Sequence, residues 1–227
     1  MRRVWMGIAF ALALLVSAYA IVQFVILSPK SAGMVQLHLL DANFPYKQWV
    51  NFIYLHAVGG AVSLAVGPLL FSRRLQKKNM RLHRRLGKLY VVSIAIGGGS
   101  GIYLCFEALG GLMSQAGFLA LDILWLVTTY IGYRRIRQKR AEAHREWMMR
   151  SCALTFAGVT LRFWVAFLGV LFIPLENFSQ FELLLDDFNR MYRLDAWLCW
   201  VPNLIVAEWL IRRRRKNRTM KELALAA

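Results

Sequence analysis

Apolar runs at 4–27, 49–71, 89–109, 116–133, 152–174 and 197–211 alternate with short polar stretches along the chain. At ~1.5 Å per residue, a helix of about 20 residues crosses the ~30 Å hydrocarbon core of a bilayer. The runs are too long and unbroken for barrel strands, so helices are the spanning structure they predict. The expected fold is all-α: a polytopic transmembrane helix bundle of six spans. The first run follows Arg2-Arg3 and contains Ala18-Tyr19-Ala20, a signal-like pattern, but its apolar character continues through Leu27. It is read as an uncleaved anchor. The sixth run is the shortest and carries Pro202, Asn203 and Glu208. It counts as a span because a strongly basic tail follows it.

The polar stretches alternate in charge. Of 29 Lys and Arg residues, 24 fall at 2–3, 73–88, 134–150 and 212–221, each beside an apolar run. Basic flanks stay in the cytoplasm, which predicts both termini inside a bacterial cytoplasmic (inner) membrane. The formal charge of +17 is thus accounted for by topology, and no recognition motif suggests nucleic acid. The 58% hydrophobic and 18% charged composition departs from the roughly 45–50% and about 25% of soluble domains, which makes the lipid bilayer the expected partner. Segment 175–196 holds Glu176, Glu182, Asp186, Asp187 and Asp195 and reads as an acidic outer loop. Its Phe178, Phe181, Leu185 and Phe188 repeat at helical spacing, as in a helix lying on the membrane surface. Tyr46, Trp49, Trp197 and Trp200 are expected at the outer interface, and Trp5, Tyr90, Tyr133, Trp147 and Trp209 at the inner one. The organisation is an anchor span with outer loop (1–48), a four-helix core (49–174), and a final loop, span and basic tail (175–227).

Candidate chemistry is sparse. Cys105, Cys152 and Cys199 lie in apolar runs without CxxC spacing and read as small buried side chains. Walker A, HExxH and GxSxG patterns are absent from the sequence, and no metal site other than a haem iron is expected. His83 and His144 each close a basic loop, 61 residues apart, and Arg73-Arg74 and Arg134-Arg135 repeat the same offset. That echo suggests two tandem hairpins. Two histidines at equal depth on two helices could ligate haem b from both sides, with nearby arginines for the propionates. They could equally be interfacial histidines bonded to helix ends or lipid phosphate.

His56, Gly60, Ser63 and Gly67 share one face of the second span, and Gly97-Gly98-Gly99-Ser100-Gly101 thins the third, both suited to close helix packing. Arg162 and Asp122 lie deep in their spans, where an ionised side chain costs about 2.5–3.5 kcal/mol on insertion scales and normally faces the bundle interior. With His56 and Glu107 they would form a polar cluster in the outer half. Such a cluster could relay protons, bind a polar head group, or pin the helices.

His56 with Gly60, the run His83-Arg84-Arg85-Leu86-Gly87-Lys88-Leu89-Tyr90, the run His144-Arg145-Glu146-Trp147-Met148-Met149-Arg150-Ser151 and the pair Leu161-Arg162 together resemble the bacterial membrane proteins of domain-of-unknown-function family 2306, over roughly 50–170. The resemblance implies that His56, His83, His144, Arg150 and Arg162 belong to a shared pattern, and it supplies no activity. The HRxLG element is also similar to the histidine-bearing helices of b-type cytochromes related to ferric reductases. Those carry two histidines on one helix and this chain does not, so that likeness implies at most one haem, at the inner side. Three function classes stand: haem binding and membrane redox chemistry through His83 and His144; a transporter or proton pathway through His56, Glu107, Asp122 and Arg162; and a non-catalytic membrane scaffold.

Overall fold

The computed structural model describes residues 2–173 and 181–226. Its α-helices are α1 (Arg2–Ile21), α2 (Gly33–His38), α3 (Tyr46–Leu70), α4 (Arg73–Lys78), α5 (Met80–Phe106), α6 (Leu112–Arg137), α7 (Ala141–Thr155), α8 (Ala157–Phe172), α9 (Phe181–Leu198) and α10 (Val201–Ala226). Six segments among them are long and apolar enough to cross a membrane, with α7–α8 and α9–α10 each serving as one broken span. The protein is therefore an all-helical membrane bundle. Successive passes are antiparallel. Ser17 of α1 donates to the Ala61 carbonyl of α3 at 3.0 Å, Phe52 of α3 stacks on Tyr103 of α5 at 4.1 Å, and Thr129 of α6 meets Ser151 of α7 at 2.7 Å. We call the end carrying α4, the α6–α7 turn and the α10 tail the basic end.

Glycine sets the closest approach. A Cβ on Gly59 would lie 2.6 Å from the Ser93 carbonyl oxygen and 2.9 Å from backbone atoms of Gly97. Helices α3 and α5 can touch backbone to backbone there only because neither residue has a side chain. Gly60, the next residue, meets nothing within 4 Å. At the basic end, α7 and α10 are laced by ion pairs of Arg150 with Glu208, Arg215 with Glu146, and Arg218 with Glu142.

The two broken spans break side by side. Phe156 separates α7 from α8, where Thr155 bonds back to the Ser151 carbonyl at 2.9 Å, a side-chain contact that bends helices. Cys199 and Trp200 separate α9 from α10, because Pro202 has no N–H to give and its ring crowds the preceding turn. The Cys199 carbonyl, at the break, accepts from the Thr160 hydroxyl of α8 and from Asn203 Nδ2 at 3.0 Å. Asn203 also reaches Thr160 Oγ1 at 2.9 Å. Pro202 and Asn203, which weakened the sixth span in the sequence, thus break and rejoin it.

Three expectations change. The last span begins before Trp197: Met191, Tyr192, Asp195 and Ala196 of α9 are buried, Ala196 lies against Gly117 of α6, and Met191 approaches Gly169 of α8. The second half of α9 therefore enters the bundle, with apolar and small residues on the faces that α6 and α8 cover, and is not a surface helix. Phe178 and Glu176 lie outside the described residues. Asp195 belongs to the interior, not to an acidic loop. Trp49, Tyr90 and Trp200 are likewise buried, whereas Tyr133 and Trp209 are exposed on the outside of the bundle. Trp49 lies about one turn into α3, Tyr90 nearly three turns into α5 and Trp200 at the break between α9 and α10, where neighbouring helices rather than lipid surround them.

Candidate functional site

In the half away from the basic end, the helices part around a cavity of about 280 Å3. Its walls come from α1, α3, α5, α6, α7 and α8, with Tyr192 of α9 and His38 of α2 also lining it. Most of the lining is apolar, including Trp49, Ile53, Phe118 and Trp125. Against it His56, Glu107, Asp122 and Arg162 reach the same space. A second, shallower cavity of about 400 Å3 opens beyond it and shares His38, Glu107, Ala108 and Leu109. The two form a vestibule and an inner chamber.

Asp122 and His56 converge over Gly101. A Cβ there would lie 2.3 Å from Asp122 Oδ2 and 2.9 Å from His56 Nδ1, so the two polar atoms are separated by no more than the sum of those distances. Gly101 is the vacancy that lets a carboxylate from α6 and an imidazole from α3 meet against α5. His56 Nδ1 lies 2.9 Å from the Gly97 carbonyl oxygen. A carbonyl only accepts, so this nitrogen carries the proton, and in the neutral ring Nε2 holds the lone pair. Asp122 is buried and accepts from Cys105 Sγ at 3.4 Å.

Arg162 donates Nη1 to the Gly158 carbonyl on its own helix and lies 5.4 Å from the Tyr19 ring centroid. Among the described residues no carboxylate pairs with it. Its guanidinium carries five N–H donors, more than those contacts use. His38, absent from the sequence candidates, stacks on Phe44 at 4.7 Å and lies 5.5 Å from Trp49. Burial pushes its pKa down to about 4, so the His38 ring itself is neutral at physiological pH. The signal for it was the aromatic pair Phe44 and Trp49 nearby, which only the folded chain brings to the ring.

Below the chamber floor runs a buried hydroxyl network that sequence reading also missed. Trp125 Nε1 donates to Thr155 Oγ1 at 2.8 Å. Tyr90 OH meets Thr155 Oγ1 at 2.8 Å and Ser151 Oγ at 3.0 Å, and Ser151 meets Thr129. Hydroxyls of α5, α6 and α7 therefore satisfy one another in the interior of the bundle. Gly67 makes room, since a Cβ there would lie 3.2 Å from the Tyr90 ring.

His83 and His144 stand at the basic end, apart from the chamber. His144 Nδ1 lies 2.8 Å from the Gly132 carbonyl oxygen, which fixes the proton on Nδ1 as in His56. His83 Nδ1 is buried and has no hydrogen-bond partner among the described residues. Arg150 is engaged with Glu208 and sits 4.6 Å over the Trp147 ring, so its contacts bind α7 to α10.

Membrane-length helices packed around a chamber define the class: a polytopic α-helical membrane protein. The chain belongs to the family described as "Predicted membrane protein (DUF2306)", which matches residues 53–211. The match runs beyond the histidine–arginine elements that carried the resemblance and takes in α9 and the start of α10. No curated protein and no solved structure matches the chain.

Proposed function

We propose that the chain binds a small amphipathic molecule with an anionic head group in the chamber and exchanges a proton there through His56 and Asp122. The observation that carries this reading is the chamber itself: a mostly apolar space into which His56, Glu107, Asp122 and Arg162 all open. Apolar pockets with a few convergent polar groups are the usual form of small-molecule sites, and ionisable side chains at this depth mark function by default. Arg162 supplies the fixed cation for a carboxylate or phosphate head group. His56 Nε2 and the Asp122 carboxylate are the proton acceptors, and the aromatic and aliphatic walls suit the tail. With the basic end in the cytoplasm, the vestibule opens to the outer face of a bacterial inner membrane. Passage of the bound molecule across the bundle would make the protein a proton-linked transporter.

Titration of the purified protein with octanoate tests this, followed by the fluorescence of Trp49 and Trp125 in the chamber wall. Loss of a charge-assisted hydrogen bond is worth about 1.5–3 kcal/mol, so Arg162→Gln is expected to weaken binding roughly ten- to hundredfold. Asp122→Asn is expected to remove the pH dependence of binding and the acidification of dye-loaded proteoliposomes. Equal affinity and equal flux in the variants and the wild type would leave only a scaffold role for the chamber.

A second reading, haem b at the basic end, is favoured by one observation. His144 has its Nδ1 proton fixed by the Gly132 carbonyl, the arrangement that orients a ligating imidazole and frees Nε2, and the neighbouring His83 has an unpartnered buried nitrogen. A haem held there would supply one-electron chemistry. Protein from haem-replete cells is then expected to show a Soret band that His83→Ala and His144→Ala each remove. Colourless protein would end this reading.

A further inference from the structure

Asp195 is the least solvent-exposed acidic side chain among the described residues. It has no exposure to solvent, and neither carboxylate oxygen has a hydrogen-bond partner among those residues. The reason lies in α9. Met191, one turn earlier, approaches Gly169 of α8, and Ala196, the next residue, presses on Gly117 of α6. Asp195 sits between these contacts, in the bundle rather than at its rim.

Among the described residues no cation forms an ion pair with it. Arg193 turns its Nε to the Gly110 carbonyl at 3.0 Å, and Arg190 pairs with Asp186 on the exposed face of α9. Arg162 of α8 donates to the Gly158 carbonyl of its own helix and forms no ion pair with Asp195. The titratable neighbours of Asp195 on the same segment, Tyr192 and Cys199, are buried as well. Helix α6 brings Gly117 and helix α8 brings Gly169 to this region, and neither glycine can compensate a charge.

An unpaired carboxylate in such surroundings costs several kcal/mol, far more than an unsatisfied neutral hydroxyl. The protonated acid is the state of lower free energy. We propose that Asp195 is a proton-binding site: its carboxyl is neutral at pH 7 while α9 is seated on α6 and α8, and the O–H bond breaks, the proton passing to water, only when α9 lifts away. The site stands on its own burial and does not depend on what occupies the chamber. The two are joined through Tyr192, which belongs to the same helix and to the chamber wall, so a movement of α9 that frees the proton also opens that wall.

Infrared spectra of the full chain in lipid nanodiscs test the proposal. At pH 7 the wild type minus Asp195→Asn difference is expected to show a lost C=O stretch of a protonated carboxyl and no lost carboxylate band. The same difference for Asp122→Asn separates the other deep acid. Asn mimics the neutral acid, so the urea midpoint of Asp195→Asn is expected to equal or exceed that of the wild type. Should the variant fail to fold, mass spectrometry of the wild type decides, because a lipophilic carbodiimide adds only to a protonated carboxyl: modification at Asp195 at pH 7 supports the site. A lost carboxylate band, or an Asp195 that is modified at pH 5 but not at pH 7, overturns it.

Discussion

The two ends of the bundle treat polar groups in opposite ways. Toward the basic end, Tyr90, Ser151, Thr129 and Thr155 satisfy one another in a tight network, and Glu142, Glu146 and Arg150 of α7 pair with α10. Toward the other end, His56 and Asp122 meet over Gly101, and with Glu107 and Arg162 they open into a chamber. Polar groups that only stabilise a bundle find partners, since leaving them unmade is expensive in a low-dielectric interior. Groups left facing open space are held there by the packing of others, and that is the mark of a site.

Substitutions can break or sharpen this contrast. The largest effect is expected at the α3–α5 seam. Gly59→Ala forces a Cβ into backbone and is expected to lower stability by about 3 kcal/mol, the upper end for overpacking, as read from denaturant unfolding in detergent. Next is acid sensitivity at His38. His38 is neutral in the fold down to about pH 4, whereas the unfolded chain takes up the proton near 6.5. Its contribution is complete above about pH 6.5, falls as the pH drops toward 4, and is constant below that, a loss of at most about 3 kcal/mol. His38→Phe is expected to flatten that part of the stability–pH curve.

A smaller effect is expected in the hydroxyl network. Tyr90→Phe removes one hydroxyl and strips a partner from Ser151 and Thr155, at about 1–2 kcal/mol, again read from unfolding. The smallest is at Gly60, next in the chain to Gly59 but facing the chamber with nothing within 4 Å. Gly60→Ala is expected to fall within about 0.5 kcal/mol of the wild type. If Gly60→Ala proved as harmful as Gly59→Ala, the chamber would be closed in solution, and the contrast between the two ends would dissolve.

The spans were legible because length and apolarity are linear properties, and depth follows from the fixed rise per residue. That is why His56, Asp122 and Arg162 could be assigned to a common level. Facing could not be read in the same way. Gly101 gives no sign in one dimension that a carboxylate and an imidazole meet in the space its missing side chain leaves. Tyr90 and Trp49 look like interfacial aromatics in sequence because they stand near the ends of apolar runs, and only the neighbouring helices show that they are interior. Asp195 was hidden by its company: Asp186, Asp187 and Arg190 mark a solvent-facing stretch, and the helix that begins there carries the later acid into the bundle. Pro202 and Asn203 argued against a span when counted by hydropathy, yet the Cys199 carbonyl and Thr160 absorb what the proline disrupts.

The two interruptions at Phe156 and Trp200 have a mechanical consequence. Because the Cys199 carbonyl is shared between Thr160 and Asn203, the joints of two neighbouring spans are riveted at one level. Torque applied to α8 is handed to α9, and below the rivet the ion-paired shafts of α7 and α10 resist it. Upper and lower segments of these two columns therefore form a coupled crank, not four independent rods.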